Sequence, residues 1–274
     1  MTNPNDKPIY NKGIDTGESQ RDLDFNLARE SGNCFAIIKA TEGKNYINPH
    51  FSRHWKEAKQ NSFLRAPYHY FRASVSAFEQ AKFFLDTVLS RTENDWKYGE
   101  LKWAIDVEYN YVPIWINGVE VDLYHDDKIL PPHVWANGIK TMVDIIKRET
   151  GVAPMIYTSQ YMWEAFVNPR GAEDVWASNL DLWVASWRDD FPVLPNTWRQ
   201  TNSYVFWQTG IKNIGGIDVD ANRFNGENIF DYAQLLHINR TKGISGDIED
   251  KRESWQRYAA LKDEQLRRYE EGRD

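Results

Sequence analysis

Short apolar runs alternate with amphipathic stretches along the chain. Eight runs have the length and character of strands: 14–16, 35–40, 64–71, 101–108, 155–159, 182–186, 204–209 and 217–219. Between them, apolar residues recur at helical spacing. Phe51, Trp55 and Ala58 mark a helix over 51–61, and another falls near 22–31. Ser76 with Glu79 three residues on is a capping box, opening a helix over 76–89. A long helix over 132–150 is stopped by Gly151.

Strands separated by repeated crossovers predict parallel pairing in an α/β architecture. Eight strands within about 240 residues fit a closed (β/α)8 TIM-like barrel best. An open, doubly wound sheet is the alternative, but no Gly-rich phosphate loop follows any strand. Gly215-Gly216 precedes a strand, which is the wrong side for a dinucleotide turn. Two segments stand outside a plain barrel. In 109–127, Asn117-Gly118 lies between alternating residues and predicts an inserted β-hairpin at the top of the barrel. The stretch 245–274 is mostly charged, with Trp255, Ala259, Leu266 and Tyr269 along one helical stripe interrupted by Lys262. It reads as a solvated helix or as a docking or oligomerisation helix. The expected division is therefore a barrel over 1–240 and a charged helical extension over 241–274.

Composition narrows the function. The chain has 274 residues and a formal charge of −7, so it lacks the basic surplus that nucleic-acid binding requires. Mean hydropathy is −0.67 and no long apolar run occurs, so membrane insertion is not expected. The first residues show no apolar signal core, and location is left open. A single cysteine, Cys34, excludes a disulfide framework or a cysteine zinc cluster, and its apolar neighbours mark it as a core residue. Twelve Trp, 14 Tyr and 13 Phe make up 14% of the chain; much of this is expected in the core, but the flat faces of Trp and Tyr also suit the C–H faces of sugars.

The carboxylates carry the chemistry. Trp103-Ala-Ile-Asp106-Val-Glu108 is an apolar strand ending in two acids. Residues i and i+2 of a strand share a face, about 6.6 Å apart along the chain. Each acid raises the proton affinity of the other, and partial burial adds to it. One acid held protonated beside one ionised is what glycosidic cleavage requires. The spacing alone is common: Asp22/Asp24, Glu120/Asp122 and Asp218/Asp220 share it. The apolar lead-in distinguishes Asp106 and Glu108. Asp15 and Asp218 also end strands, and in a closed barrel the first and last strands are neighbours. All four acids are therefore expected at one mouth. Other sites score low. His50 and His54 are spaced for a helix face but lack a third ligand, so a solvated pair is expected rather than a metal site. His69 reads as a packed, hydrogen-bonded residue, and no nucleophile elbow occurs. No cofactor is expected.

These residues resemble the family-25 glycoside hydrolases, lysozymes of the N-acetylmuramidase type. The resemblance is carried, in order, by Gly13-Ile-Asp-Thr16, Phe35-Ala-Ile-Ile-Lys-Ala-Thr-Glu-Gly43, Pro67-Tyr-His-Tyr-Phe71, Ala104-Ile-Asp-Val-Glu108, Pro154-Met-Ile-Tyr-Thr-Ser159, Leu182-Trp-Val-Ala185, Phe206-Trp-Gln208 and Gly216-Ile-Asp-Val-Asp220. It departs after Asp15, where Thr16-Gly-Glu-Ser-Gln20 replaces the usual pattern, and at Ala66-Pro67. The resemblance implies a slightly irregular α/β barrel that cleaves the β-1,4 bond between N-acetylmuramic acid and N-acetylglucosamine. Peptidoglycan glycan strands are then the partner. Glu108 would be the general acid and Asp106 its partner, with Asp15 and Asp218 completing the acids. Tyr68, Tyr157, Trp187 and Gln208 would line the cleft, and Glu42 would reach it. A bacteriophage endolysin, a virion-attached lysozyme and a secreted enzyme all fit this reading. Two other readings compete with it: a chitinase-like barrel, and a non-catalytic sugar-binding or structural barrel.

Overall fold

A computed structural model of the chain describes residues 10–92, 99–109, 113–123, 125–169, 175–188 and 190–243. The chain runs β1 (Lys12–Thr16), α1 (Phe25–Glu30), β2 (Phe35–Glu42), β3 (Tyr46–Ile47), α2 (Phe51–Gln60), β4 (Leu64–Tyr70), α3 (Ala77–Arg91) and β5 (Ala104–Asp106). Next come β6 (Pro113–Ile116), β7 (Val119–Asp122), α4 (His125–Ile129) and α5 (Pro132–Thr150). Then follow β8 (Met155–Ser159), α6 (Gln160–Met162), β9 (Leu182–Ala185), α7 (Asn196–Arg199), β10 (Phe206–Ile214), β11 (Ile217–Phe224) and α8 (Ile229–Gly243). The charged segment expected over 245–274 lies outside the described residues.

Eight strands close into a barrel in the order β1-β2-β4-β5-β8-β9-β10-β11, with β11 returning to β1. All eight coincide with the apolar runs of the sequence. Six of the eight contacts around the ring are parallel. The last strand departs from the all-parallel expectation: β11 runs antiparallel to both β10 and β1. The reason is local. Gly215 and Gly216 have φ of 58° and 91°, so they form a two-residue turn between the paired Ile214 and Ile217. No crossover intervenes, and the strand must return down the barrel.

The strands are apolar on both faces. Ile38, Ile105, Ile156 and Val184 pack outward on Phe51, Phe84, Ile139 and Ile146. Phe35, Ile37, Ala66, Ala104, Met155, Trp183 and Phe206 fill the interior. Cys34 is buried there as expected, and burial pushes its thiol up to about 11. The helix ends follow the sequence signals. Asp24 Oδ1 caps α1 at the Asn26 and Leu27 amides, Ser76 caps α3 at Glu79, and Gly151 ends α5 with φ 77°. The inserted hairpin also forms. β6 pairs antiparallel with β7 around Asn117 and Gly118, whose φ values of 51° and 79° make the turn.

One expectation fails. His54 is not solvated but fully buried, because α2 turns Phe51, His54, Trp55 and Ala58 inward as one stripe. Its Nδ1 meets Thr16 Oγ1 at 3.2 Å. His69 is packed as expected, between Thr41 Oγ1 (2.7 Å) and Gln80 Oε1 (3.1 Å). Burial holds both imidazoles down at about 4. An unfolded histidine titrates near 6.5, so below that pH the unfolded chain binds more protons than the folded one. Stability contributed by the neutral rings is therefore present above about pH 6.5 and lost as pH falls toward 4. The expected loss is about 2 kcal/mol for each ring at pH 5. Denaturant unfolding at pH 7 and pH 5 should show this loss shrinking in a His54→Asn/His69→Gln variant. An unchanged pH difference in that variant would contradict the assignment.

Candidate active site

The inward positions of the strands are apolar at the bottom of the barrel and turn polar at the C-terminal ends. Phe35 and Ile37 lead to Lys39, Ala66 and Tyr68 to Tyr70, Ala104 to Asp106, Met155 to Tyr157, and Phe206 to Gln208. Period-two alternation keeps each series on one face. Polar side chains from several strands therefore collect at one mouth, where barrel enzymes place their chemistry.

Asp15, at the end of β1, is buried. Its Oδ2 accepts from Asn222 Nδ2 at 2.7 Å and from Gln208 Nε2 at 3.0 Å. Trp183 Nε1 donates to Asn222 Oδ1 at 2.7 Å, which fixes that amide's orientation. Tyr157 Oη and Trp187 Nε1 donate to Gln208 Oε1, at 3.0 and 3.2 Å. Burial pushes the Asp15 carboxyl well above the usual range. Asp220 adds to this, Asn222 and Gln208 oppose it, and Glu108 contributes further.

Asp106 is 4 % exposed, and its Oδ1 is buried with no hydrogen-bond partner among the described residues. Burial raises its carboxyl well above the usual range, followed by repulsion from Glu108; Lys39 opposes this, while Asp15 and Glu42 add to it. Glu108 lies two residues on and is half-buried; its carbonyl accepts from Tyr70 Oη at 3.3 Å. Burial also raises the Tyr68 phenol, and Asp15, Asp106, Glu108 and Asp220 raise it further. Four carboxylates thus act on one buried ring.

The fourth of them is Asp220, not the expected Asp218. In the β1–β11 pairing, Asp15 stands opposite Asp220. Because β11 runs downward from the Gly215-Gly216 turn, Asp218 sits two residues farther out. Asp218 is exposed and accepts from Asn213 Nδ2 at 2.8 Å across the hairpin. Asp220 is partly buried, and burial raises its carboxyl. For the glycan cleavage that the sequence resemblance implies, Asp220→Asn is therefore expected to lower turnover at least tenfold, and Asp218→Asn to leave it within about twofold. The reverse ranking would contradict this placement.

Beside the mouth, on the far side of Lys39, lies a groove of about 530 Å³ lined by Glu18, Lys39, Glu42, Tyr46 and Arg72 among others. The β2–β4 pairing skips Ala40, which turns Lys39 and Glu42 to the same side. Lys39 Nζ and Glu42 Oε2 meet at 2.8 Å, and Arg72 Nε donates to Glu42 Oε1 at 3.0 Å. Burial alone would raise Glu42, but Lys39 and Arg72 outweigh it and hold the carboxyl low. Lys39 also lies over the Tyr46 and Tyr70 rings, at 5.5 and 4.9 Å. Trp187 leaves 60 % of its surface exposed beside Gln208. The structure thus gathers Asp15, Asp106, Glu108, Tyr68, Tyr157, Trp187 and Gln208, with Glu42 in the adjoining groove. Lys39, Tyr70, Asp220 and Asn222 were missed. The alternation Asp218, Asp220, Asn222 was the signal for the last two, given the Gly-Gly turn.

A mostly parallel barrel with several carboxylates gathered at its C-terminal mouth fits the glycoside-cleaving class of enzyme. The family model for glycosyl hydrolases family 25 matches residues 14–216, and the chain belongs to that family. YegX of Escherichia coli K12 is 30% identical over 223 residues, covering 78% of this chain and 69% of that protein. Lysozyme M1 of Streptomyces globisporus is 27% identical over 221 residues, covering 78% and 68%. Among solved structures, the muramidase from Acremonium alcalophilum superposes with a TM-score of 0.64 at 29% identity, covering 84% of this chain and 98% of that one.

Proposed function

We propose that this chain is a peptidoglycan hydrolase of the lysozyme type, cleaving the β-1,4 bond between N-acetylmuramic acid and N-acetylglucosamine. The carrying observation is that Asp15, Asp106, Glu108 and Asp220, from three strands, all act on Tyr68 at one mouth. The family and its lysozyme and muramidase relatives support the substrate.

Four acids in one partly dry environment repel one another's charge, which favours retention of a proton by the cluster. In the free protein, the burial of Asp106 and Asp15 favours keeping it on them. The open Oδ1 of Asp106 is an acceptor suited to the N–H of a substrate acetamido group. That hydrogen bond favours the ionised Asp106 and shifts the shared proton toward Glu108. Glu108, nearer the solvent, then donates to the glycosidic oxygen, and Asp106 stabilises the oxocarbenium-like sugar. Glu108 next accepts a proton from water. Asp15, fixed by Asn222 and Gln208, keeps negative potential beneath the developing cation. Trp187 offers a flat face to a neighbouring sugar. The extension over 241–274 is assigned no part in this chemistry.

Digestion of purified peptidoglycan with mass spectrometry of the borohydride-reduced products tests the reading. New reducing ends on N-acetylmuramic acid are expected. Ends on N-acetylglucosamine, or no new ends, would contradict it, and cleavage of chitin oligomers in preference to peptidoglycan would favour the chitinase-like reading.

A further inference from the structure

The segment inserted after β5 reaches the mouth through one buried carboxylate. Its hairpin stands in solvent, with Trp115 69 % and Val119 62 % exposed. Asp127 on α4, by contrast, is 1 % exposed. Its Oδ1 accepts from the Ser74 amide at 2.7 Å, its Oδ2 faces Arg72 Nη1 at 3.4 Å, and its carbonyl accepts from Trp135 Nε1 at 3.2 Å.

Arg72 is the inner half of this contact. Its guanidinium binds Glu42 and lies over the Tyr70 ring, 4.3 Å from the centroid. Lys39 lies over the same ring at 4.9 Å and binds the other Glu42 oxygen. Tyr70 Oη in turn donates to the carbonyl of Glu108. The contacts are therefore continuous from Asp127 through Arg72 and Tyr70 to the backbone of Glu108. A branch through Glu42 reaches Lys39, the cation that acts on Asp106.

We infer that Asp127 is a positioning residue for glycan cleavage: by fixing Arg72 against Tyr70 and Glu42, it holds the Glu108 backbone and the Lys39 ammonium where the acid pair needs them. This rests on the reading of Glu108 and Asp106 as the reacting pair. A purely stabilising role is a poor account of the arrangement. A buried ion pair recovers little net stability over an apolar replacement, because desolvation offsets the attraction. The contact of Asp127 with Arg72, which reaches the acids through Tyr70 and through Glu42 and Lys39, is instead what a geometric role requires.

The charge arithmetic gives the inference a distinct signature. Among the described residues, the groups acting together with Asp106 and Glu108 include Asp15 from β1, Lys39 and Glu42 from β2, Tyr68 and Tyr70 from β4, Tyr157 from β8 and Asp220 from β11. Removing the Asp127 charge makes the Arg72–Glu42–Lys39 network beside this set more positive by one unit. Positive charge favours ionised carboxylates, so the proton needed for donation is lost at lower pH.

Asp127→Asn keeps an acceptor for the Ser74 amide and nearly the same volume. With soluble peptidoglycan fragments, kcat should fall about tenfold while KM changes less than about twofold. The alkaline limb of kcat/KM should move to lower pH. Asp127→Glu keeps the charge with altered reach, so it should lower kcat and leave the limb in place. Two results would overturn the inference: Asp127→Asn with wild-type kcat and limb, or activity lost only in proportion to the unfolded fraction with both limbs unmoved. Glu108→Gln is run in parallel. If that variant stays active, the assignment of the acid pair fails; if it is inactive and Asp127→Asn is unaltered, only the positioning role fails.

Discussion

Glu108→Gln should lower turnover on peptidoglycan by about 10³-fold or more while the protein folds and binds as before. General acid catalysis by a positioned carboxyl contributes typically 10²–10⁴-fold. Glutamine matches glutamate in shape but cannot release a proton to a leaving group. The Tyr70 hydroxyl bonds the carbonyl of residue 108, which the substitution leaves in place. Asp15 keeps both its amide donors, and the interior cluster under the mouth is untouched. Melting temperature should therefore stay at or slightly above the wild-type value, and sedimentation with insoluble cell walls should persist. Wild-type turnover in this variant would remove Glu108 from the mechanism.

Asp106→Asn should lose activity and gain stability together. The carboxyl is nearly fully buried, one oxygen has no partner among the described residues, and burial and Glu108 raise its proton affinity. A carboxyl whose folded pKa is raised contributes stability that is fully present below its unfolded value of about 3.9 and lost as pH rises through the folded one. At neutral pH the wild-type fold thus carries a strain that asparagine removes. The melting temperature at pH 7 should rise by about 2–4 °C, the response of a domain of this size to ~1 kcal/mol. At pH 3 the two proteins should melt alike, since the carboxyl is then protonated in both states. A variant less stable than wild type at pH 7 would mean that the ionised carboxyl is well solvated or paired. Catalytic groups held in costly surroundings commonly show this opposition between activity and stability.

How far the sequence foretold the molecule is clearest at its strands. The eight apolar runs became the eight barrel strands because both faces of a barrel strand are buried, so the signal is strong. Asp106 and Glu108 stood out because they interrupt such a run at its end. The last strand was misread in direction. Gly215-Gly216 was weighed only as a failed phosphate loop, although a Gly pair between apolar residues is also a hairpin turn. That one omission moved the fourth acid from Asp220 to Asp218. His54 was misjudged because helical spacing locates a face but not the side the barrel covers. The Lys39–Glu42 pair depends on the skipped Ala40, and a bulge leaves no periodic trace in sequence. The clamp of Arg72 by Asp127 joins residues 55 positions apart and is invisible to any local pattern.

Site-resolved carboxyl titration by ¹³C NMR, in the wild type and in Glu108→Gln, asks most directly whether these acids form one electrostatic unit. The coupled-cluster account predicts that Asp106 and Asp15 titrate well above the ordinary aspartate range in the wild type, and that neutralising residue 108 lowers the Asp106 midpoint. Midpoints near about 3.9 for both, unmoved by the substitution, would contradict it.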